Sequence, residues 1–460
     1  MKNIVFDSNS HVYFIGIGGV SMSGLAHILM DKGVRVSGSD AQASPNTEHL
    51  EKEGATIYLG QSADHIRKDL QVVVYTAAIH EDNPEYQQAK AYGIPMMNRK
   101  DLLAKVMADY EKSVAIAGTH GKTTTTAMLS YIFLEAKLDP TISIGANFKK
   151  IDGNVRVGHS ETFVAEACEY TNSFLALHPY ASIVLNVEED HLDFFKGIQD
   201  IRHSFHQFVL NTSPKGVVVL NQSILHHEEL TKDYQGRVLT FGLEKGDVHS
   251  QHLHSLSHGG NGFDLIYQGK TLGLIELPVG GKHNVENALA AIAIALNFGV
   301  DIEAIQKGLK GFHGADRRFE KKGFYHQAEV IDDYAHHPQE IEATLSMANQ
   351  YPHKRLIVAF QSHTYSRTKA LFEDFAKVLA KVDVCWLAPI YAAREANDPS
   401  VSSTLLAQRI NELNGNALDF ESFDQMIEYA KKELKKGDLF LTVGAGNIFE
   451  VGERLVKSDQ

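Results

Sequence analysis

The sequence S-V-A-I-A-G-T-H-G-K-T-T-T-T, residues 113–126, decides the fold of this chain. Residues 114–117 are apolar and partly β-branched, which predicts a short buried strand. Two glycines allow a sharp turn, and the apolar positions of a helix follow at Met128, Leu129, Tyr131 and Ile132. A strand, a glycine turn and a helix N-terminus form a cradle for anionic oxygens, because backbone N–H groups and the helix dipole point at the turn.

The loop departs from the standard Walker A pattern, because Ile116 stands where that pattern has its first glycine. A glycine turn without a ligand is the alternative interpretation. However, threonine is only a middling helix former, so a lysine and four threonines suit a helix start poorly unless a ligand binds there. The stretch predicts a nucleotide site in which Lys122 reaches the β- and γ-phosphates and Thr123 coordinates Mg²⁺.

Composition predicts a soluble protein of several domains. A chain of 460 residues is long enough for two to four domains, and 43% hydrophobic residues is ordinary for a globular protein. The net charge of −13 disfavours nucleic acid as a partner. The chain has two well-separated cysteines, no apolar run long enough for a membrane span and no apolar signal-peptide core. We therefore expect a cytoplasmic monomer or homodimer without a membrane partner.

Residues 1–111 have the pattern of a βαβ series with a parallel sheet. A strand runs into G-I-G-G-V-S-M-S-G, where Gly16 and Gly18 allow the backbone to approach a pyrophosphate. Asp40 stands where a ribose-binding acid is expected, but Ser21 replaces the third glycine of the dinucleotide fingerprint. On this segment alone, an NAD-dependent oxidoreductase leads, and a glycine turn without a ligand is the alternative.

Residues 112–317 contain two further strands that each end in candidate metal ligands. Residues 162–165 lead to Glu166, and residues 181–187 lead to His191 in E-E-D-H-L-D. Parallel strands place their carboxyl ends at one edge of a sheet, so both side chains are expected near Lys122 and Thr123. A solvated acidic loop is the alternative, and histidine is an unusual ligand for Mg²⁺, which prefers oxygen.

The rest of the middle segment predicts hairpins and an amide pair. Short alternating runs over residues 216–277 indicate β-hairpins on or beside the sheet. Asn284 and Asn287 lie one helical turn apart, so both amides can face an adenine edge. Plain helix capping with surface polarity is the alternative.

Residues 318–460 begin a third βα series in which polar residues again follow the strands. Arg318 or Arg367 could bind phosphate, and His336 or His363 could position a substrate. Surface arginines and histidines are common, so these residues alone do not decide the role of the segment.

Several motifs are spread over almost the whole chain. In order they are G-I-G-G-V-S-M-S-G with S-G-S-D, A-G-T-H-G-K-T-T-T, E-A-C-E-Y-T-N-S-F-L, N-V-E-E-D-H-L-D, G-K-H-N-V-E-N-A-L-A-A, D-D-Y-A-H-H-P, H-T-Y-S-R-T, I-Y-A-A-R-E and G-A-G-N. Together they resemble the Mur ligase family of bacterial cell-wall synthesis, in which the short phosphate loop is the normal form.

The resemblance implies three α/β domains. Residues 1–111 are then a Rossmann-like domain that binds a UDP-sugar. Residues 112–317 form a P-loop ATPase-type parallel sheet with an added β-hairpin region, and residues 318–460 form a Rossmann-like domain that binds the amino acid.

The resemblance also implies an ATP-dependent ligase of peptidoglycan precursor synthesis. The start G-I-G-G-V-S-M-S-G, and the lack of a lysine in residues 201–208, favour the branch that joins L-alanine to the lactyl carboxylate of UDP-N-acetylmuramate through an acyl phosphate. The nearest alternative attaches a whole tripeptide to the same UDP-sugar during cell-wall recycling. A non-catalytic UDP-sugar sensor and the NAD-dependent oxidoreductase remain as rivals from other classes.

Site residues are carried over from the resemblance position by position. ATP phosphates are expected at Gly118, Thr119, His120, Gly121, Lys122, Thr123 and Thr124. The adenine side is expected at His283, Asn284 and Asn287, and the third domain is expected to add Arg318 and Asp333. Mg²⁺ is expected at Thr123, Glu166 and His191, with Lys122, Glu166 and His191 as the catalytic set. The uridine nucleotide is expected at Gly16, Gly18, Gly19, Ser39, Asp40, Arg99 and the turn of Thr76, Ala77 and Ala78.

The amino-acid and muramoyl end is expected at His363, Tyr365 and Arg367. Two motifs of the chain depart from the family pattern, at three positions. Cys168 and Tyr170 replace residues of the commoner E-A-D-E-S-D and alter the surroundings of Glu166, and Ser21 replaces a glycine of the first loop.

Overall fold

The computed structural model describes residues 4–76, 78–151, 153–191, 194–256, 260–314, 317–349, 351–393 and 395–459. Ala77, Leu192, Asp193 and Arg394, which belong to motifs quoted above, lie outside the described residues. The chain divides into two compact units. The first comprises Met1–His254, Gly262–Leu277 and Asn284–Phe312, and the second comprises Ser255–Asn261, Pro278–His283 and His313–Gln460.

The first unit begins with a parallel sheet. Its strands are β1 (His11–Ile15), β2 (Arg35–Asp40), β3 (Thr56–Leu59), β4 (Val72–Tyr75) and β5 (Met96–Asn98), and its helices are α1 (Val20–Asp31), α2 (Pro45–Lys52), α3 (Pro84–Ala91) and α4 (Arg99–Met107). The sheet order is β3-β2-β1-β4-β5, with every pair parallel. The order reverses between β1 and β4, and open α/β sheets bind ligands outside the carboxyl ends at such a point. Gly16 and Thr76 follow these two strands.

The second sheet of the first unit is larger. Its strands are β6 (Lys112–Ala117), β7 (Thr141–Phe148), β8 (Gly153–Arg156), β9 (Thr162–Glu166), β10 (Ala181–Val184), β11 (Val217–Asn221), β12 (Arg237–Gly242), β13 (Val248–Ser255), β14 (Asn261–Tyr267) and β15 (Lys270–Leu277). The order is β15-β14-β13-β12-β11-β10-β6-β9-β7-β8. Strand β6 pairs in parallel with β10 on one side and β9 on the other. The carboxyl ends of these three strands are therefore neighbours.

Helices of α-type around this sheet are α5 (Lys122–Glu135), α6 (Ile198–Leu210), α7 (His227–Leu230), α8 (Lys282–Asn297) and α9 (Ile302–Lys310). Helix α5 is amphipathic only weakly, because much of its surface is covered and its buried residues include Thr125, Thr126 and Ser130. The Thr126 and Ser130 hydroxyls donate to carbonyls one turn earlier, at Lys122 and Thr126, so these polar groups are satisfied within the helix.

The hairpin prediction for residues 216–277 is wrong in its first half. Strand β11 pairs in parallel with β10 and β12, and β12 pairs in parallel with β13. Alternating polarity does not reveal strand direction, and here α7 connects β11 to β12 as a parallel crossover. The second half is a hairpin, because Gln268 (φ 48°) and Gly269 (φ 76°) join β14 to β15 in a two-residue turn.

The second unit contains a third sheet. Its strands are β16 (Glu320–Tyr325), β17 (Ala328–Asp333), β18 (Arg355–Phe360), β19 (Val384–Leu387), β20 (Ala417–Asp419) and β21 (Asp438–Val443). Its helices are α10 (Pro338–Ala348), α11 (Tyr365–Ala370), α12 (Phe372–Leu379), α13 (Ser403–Glu412), α14 (Phe423–Glu433) and α15 (Phe449–Ser458). The order is β16-β17-β21-β18-β19-β20, and only the β16–β17 pair of the described strands is antiparallel.

The three sheets confirm the predicted α/β class. Parallel strands are covered on both faces, and they accordingly read as apolar runs. In β1, for example, Val12 and Phe14 pack into one core while Tyr13 and Ile15 pack into another. Among the described residues, no helix is both long enough and apolar enough to cross a membrane.

Candidate active site

The loop of residues 118–124, here called the phosphate loop, connects β6 to α5. Gly118 (φ 151°) and Gly121 (φ 85°) adopt backbone conformations that other residues rarely reach. A Cβ on Gly121 would also lie 2.5 Å from Oδ1 of Asn287, so the turn needs glycine for space as well as for conformation. The first backbone N–H groups of α5 have no acceptor within the helix and face the turn, which makes the loop suited to anionic oxygens.

Lys122 is held at the loop by a buried carboxylate. Its ammonium lies 2.9 Å and 3.1 Å from the two carboxylate oxygens of Glu169 and also donates to the backbone carbonyls of Gly118 and Thr119. Glu169 is 3% exposed. Burial alone would lower the pKa of Lys122, but the Glu169 carboxylate outweighs it and raises the pKa above its usual range. The ammonium therefore stays charged inside the site.

Thr123 and Glu166 meet beside Lys122, as the sequence predicts. Glu166 is the last residue of β9, and its Oε2 accepts a hydrogen bond from the Thr123 hydroxyl at 3.1 Å. Its other oxygen accepts from the backbone N–H of Gly145 at 2.6 Å. A Cβ on Gly145 would lie about as close to this carboxylate as atoms can pack, at 3.0 Å. A carboxylate and a hydroxyl at this separation are oxygen ligands of the kind that Mg²⁺ prefers.

His191 lies near Glu169, the same acid that bonds Lys122. Its Nε2 is 3.7 Å from Oε1 of Glu169 and 3.7 Å from Oδ2 of Asp190. The backbone of His191 is left-handed (φ 52°), and its ring lies 4.5 Å from the ring of Tyr170. Glu169 thus links the candidate metal histidine to the loop lysine.

Sequence reasoning missed Glu169. The only signal was a second acid three residues after Glu166 in E-A-C-E-Y. Left-handed residues Thr171 and Asn172 turn the chain sharply after it, and this local backbone decides which acid faces the lysine.

Asn186 is the second residue that sequence reasoning missed. Its amide bonds both backbone groups of His120, accepting from the N–H at 2.7 Å and donating to the carbonyl at 3.1 Å. The Thr119 hydroxyl accepts from the N–H of Glu188 at 3.0 Å. The segment after β10 therefore fixes the turn of the phosphate loop through the backbone.

The two predicted asparagines also lie at this loop. The Asn287 amide donates to the Asn284 side-chain oxygen at 3.3 Å, and the same side chain packs against Gly121. Both residues are buried in α8. His283 belongs to the second unit, and burial lowers its pKa to about 4, so its ring is neutral.

The glycine loop after β1, residues 16–24, is braced by residues at the end of β2. The backbone N–H groups of Gly16 and Ile17 donate to the Ser39 carbonyl, and the Gly18 N–H donates to Oδ2 of Asp40 at 2.8 Å. A Cβ on Gly18 would lie 2.9 Å from that oxygen. Asp40 therefore holds the loop through Oδ2, and its predicted contact with a ribose stays a prediction.

The predicted residues Ser39, Arg99 and Thr76 have different surroundings. The Ser39 side chain is fully buried and donates to Glu85, so only its backbone meets the glycine loop. Arg99, at the start of α4, donates to the Ser21 hydroxyl at 2.9 Å. The Thr76 hydroxyl accepts from the N–H of Ala78 at 3.2 Å in the turn after β4.

The second unit places Asp333 and Arg318 at the end of β17. The Asp333 carboxylate accepts from the N–H groups of Phe319 and Ala335 and from the Thr344 hydroxyl. Burial raises its pKa to about 6 against the pull of the Arg318 guanidinium. Arg317 is committed elsewhere, because it bonds Asp332 and two backbone carbonyls, whereas the Arg318 guanidinium lies 5.3 Å from the Tyr334 ring centre.

A second polar cluster of this unit contains His363 and Arg367. The His363 ring stacks on Tyr391 at 5.5 Å and lies 6.2 Å from the His336 ring. Burial, and secondly the Arg367 guanidinium, lower the pKa of His363 to about 4. Tyr365 is the first residue of α11, which also carries Arg367. The residues predicted to bind the amino acid therefore include a neutral imidazole, at His363, and a cation, at Arg367.

The structure thus divides the predicted residues by unit. The first unit holds the phosphate loop with Glu166, His191, Asn284 and Asn287, and it also holds the glycine loop with Asp40 and Arg99. The second unit holds His283, Arg318, Asp333, His363, Tyr365 and Arg367.

Family models match most of the chain in three parts. The model described as Mur ligase family, catalytic domain, matches residues 11–111, and the Mur ligase middle domain matches residues 116–295. The model described as Mur ligase, glutamate ligase domain, matches residues 317–446.

Curated relatives and solved structures match over nearly the full length. The UDP-N-acetylmuramate–L-alanine ligase of Agathobacter rectalis is 50% identical over 458 residues, covering 99% of this chain and 100% of the relative. The ligase of the same name from Clostridium novyi is 47% identical over 99% of both chains. The crystal structure of the UDP-N-acetylmuramate-alanine ligase of Thermotoga maritima superposes with a TM-score of 0.82 at 29% identity, covering 97% of this chain and 98% of that one.

Proposed function

This chain belongs to the Mur ligase family, and we infer from that membership that it joins L-alanine to the lactyl carboxylate of UDP-N-acetylmuramate, with cleavage of ATP to ADP and phosphate. The reaction type is carried by one observation, the meeting of Lys122, Thr123 and Glu166 at the phosphate loop. The choice of amino acid comes from the curated relatives, which act on L-alanine by name.

We propose that residues 118–124 cradle the ATP phosphates. The glycine turn exposes backbone N–H groups, and Lys122 adds a fixed positive charge on the same side. Asn284 and Asn287 are proposed to meet the adenine, because their amides can both donate and accept. Arg318, Asp333 and His283 are likewise proposed to bind ATP.

We propose that Thr123, Glu166 and His191 hold Mg²⁺. The Thr123 and Glu166 oxygens are 3.1 Å apart and suit a hard cation, while the imidazole of His191 is a less usual partner. When bound, the ion neutralises charge on the phosphate oxygens. The chain itself contributes Gly145, whose N–H fixes the Glu166 carboxylate, and Glu169, which positions both Lys122 and His191.

The proposed chemistry has two steps. An oxygen of the muramoyl carboxylate attacks the γ-phosphorus, the bond to the bridging oxygen breaks, and ADP leaves with an acyl phosphate formed. The amine nitrogen of L-alanine then attacks the acyl carbon, phosphate leaves, and the nitrogen loses its proton. Lys122 stabilises charge on the transferring phosphoryl group, and binding in fixed positions provides much of the remaining acceleration.

The remaining groups are proposed to bind the other substrates. Gly16, Gly18, Gly19, Ser39, Asp40, Thr76 and Arg99 are assigned to the UDP-sugar, with Asp40 and the Ser39 backbone shaping the loop. His363, Tyr365 and Arg367 are assigned to the amino-acid and muramoyl end. We retain the proposed domains 1–111, 112–317 and 318–460, and a cytoplasmic monomer or homodimer that does not bind nucleic acid, in line with the net charge of −13.

Phosphate release tests the assignment. The enzyme is given ATP, Mg²⁺ and UDP-N-acetylmuramate with either L-alanine or the tripeptide L-Ala–D-Glu–diaminopimelate. We expect release with L-alanine only. Release with the tripeptide only moves the function to recycling, and release in neither arm from folded protein removes the ligase assignment.

A further inference from the structure

Three side chains that commonly bind metals meet on the helices of the first sheet. His27 lies in α1, His49 lies in α2, and Glu53 caps the C-terminus of α2. Nδ1 of His27 is 2.6 Å from Oε2 of Glu53, and Nε2 of His49 is 3.3 Å from Oε1 of the same carboxylate. One ligand atom of each residue lies within 4.8 Å of the other two.

We propose that His27, His49 and Glu53 form a binding site for a divalent transition-metal ion of the zinc class. Two imidazoles and one carboxylate are a ligand set that Zn²⁺ uses with water in the fourth position. Imidazole suits zinc, nickel and copper, whereas Mg²⁺ and Ca²⁺ prefer oxygen. The site has two imidazoles and one carboxylate, whereas the proposed magnesium site has one imidazole, His191, beside the oxygens of Thr123 and Glu166.

The spacing of the three groups suits a tetrahedral ion. Bonds of about 2.0 Å place the ligand atoms of tetrahedral zinc about 3.3 Å apart. The His49–Glu53 separation of 3.3 Å has this value, and the His27–Glu53 hydrogen bond of 2.6 Å would have to lengthen as an ion enters. The His49 side chain is 67% exposed, so its ring can rotate inward at little cost.

The backbone holds the ligands on two adjacent helices. The Glu53 N–H donates to the His49 carbonyl at 3.1 Å, so these two residues keep helical i,i+4 spacing. The His27 and His49 rings face each other at 6.1 Å with an interplanar angle of 29°. Only small side-chain shifts are needed for an ion to bridge α1 and α2.

Such a bridge would also brace the glycine loop. Helix α1 begins directly after Gly19. Ser44, the N-cap of α2, lies so close to Gly18 that a Cβ added to this glycine would contact it. Asn46 of α2 donates to the Gly18 carbonyl at 2.9 Å. The expectation that a bound ion tightens the UDP-sugar loop rests on the proposed function. Binding of the ion itself does not depend on that function.

Cobalt titration of the metal-free, full-length protein tests the site. Co²⁺ is added in saturating Mg²⁺, and visible absorption is followed without any substrate. We expect one equivalent whose binding weakens on the order of tenfold or more in each of His27→Gln, His49→Gln and Glu53→Gln. The mostly exposed His49 makes His49→Gln the variant least able to disturb the fold, and circular dichroism verifies that it is intact.

His252→Gln is the matched control, because His252 also pairs with a single carboxylate, Asp264 at 2.7 Å, on an exposed surface. This variant should titrate like the wild type. Cobalt binding that is equal in the wild type and all three site variants, or no binding by the wild type, overturns the proposal. The Michaelis constant for UDP-N-acetylmuramate with and without Zn²⁺ then tests the bracing effect separately.

Discussion

Two glycine loops of the first unit follow buried parallel strands and precede helices, yet they carry charge in different ways. The phosphate loop contains its own cation, Lys122, and a buried acid fixes it. The loop of residues 16–24 contains neither lysine nor arginine, and its nearby cation, Arg99, reaches Ser21 from α4. In the proposed reaction the phosphate loop stabilises a phosphoryl group during its transfer, whereas the loop of residues 16–24 only binds a diphosphate. A cation inside the loop suits phosphoryl transfer. Backbone amides, with a cation that reaches the loop from a neighbouring helix, suit diphosphate binding.

Removal of the loop cation should produce the largest effect. Lys122→Ala is expected to lower kcat by at least about 10³-fold, because the transferring phosphoryl loses its fixed positive charge. Binding of UDP-N-acetylmuramate, measured by calorimetry, should stay near the wild-type value. Lys112→Ala, which removes the lysine of an exposed ion pair with Glu161, is the control and should leave kcat unchanged. Near-normal turnover of Lys122→Ala would contradict the role of the loop.

The buried acid should come second. Glu169→Gln is expected to lower kcat by about a hundredfold, because Lys122 and His191 both lose the group that positions them. Glu161→Gln tests an exposed Lys–Glu pair under the same assay and should have little effect. Equal activity of the two variants would show that Glu169 has no positioning role.

The Glu169→Gln variant should also change how kcat depends on pH. Because the pKa of Lys122 is raised, its charge and the stability that this charge contributes are fully present at any pH below the ordinary pKa of lysine. Both are lost only as the pH rises through the pKa of the folded state. The wild-type kcat should therefore show no loss from this group between about pH 7 and 9. Without Glu169 the largest effect that raises the pKa of Lys122 is lost while burial still lowers it, so the alkaline fall in kcat should move to lower pH than in the wild type. A wild-type-like profile of Glu169→Gln would contradict this.

Substitutions in the glycine loop should mainly weaken binding of the UDP-sugar. Gly18→Ala puts a Cβ about 2.9 Å from both Asp40 and Thr47, so the loop must shift. We expect about a tenfold rise in the Michaelis constant for the UDP-sugar with a smaller change in kcat. The neighbouring Gly19→Ala has more room, since its nearest atom is 3.5 Å away, and should change the constant less. A larger effect at Gly19 would mean that the loop moves when the ligand binds.

The smallest effect is expected at the arginine contact. Ser21→Ala removes the hydroxyl that accepts from Arg99 at 2.9 Å. The Michaelis constant for the UDP-sugar should rise about three- to tenfold, which corresponds to the net value of one ordinary hydrogen bond, about 0.5–1.5 kcal/mol. Turnover at saturation should not change, and Ser23→Ala, which removes a hydroxyl that donates to the Val20 carbonyl within α1, tests whether the loss is specific to position 21.

Sequence reasoning predicted the strand, turn and helix around residues 113–126 correctly, because the signals for all three agree over a short stretch. It also placed Glu166 correctly, since a residue that ends a strand has little freedom of position. It could not identify Glu169, because the contact of that carboxylate with Lys122 depends on irregular backbone after β9, which includes left-handed residues at Thr171 and Asn172. It also misread the direction of β11 and β12, since alternation is the same in parallel and antiparallel strands. Asp40 was given a ligand role from its position, but only coordinates reveal that the Gly18 N–H engages it.

The pairing of Lys122 with Glu169 has a further consequence for the enzyme's own survival. An acyl phosphate acylates neutral amines, and in the proposed reaction it forms beside a lysine. Glu169 keeps that lysine protonated, so its nitrogen has no lone pair with which to attack. The amine of L-alanine is then the nucleophile that can react, and the enzyme avoids acylating itself at each turnover.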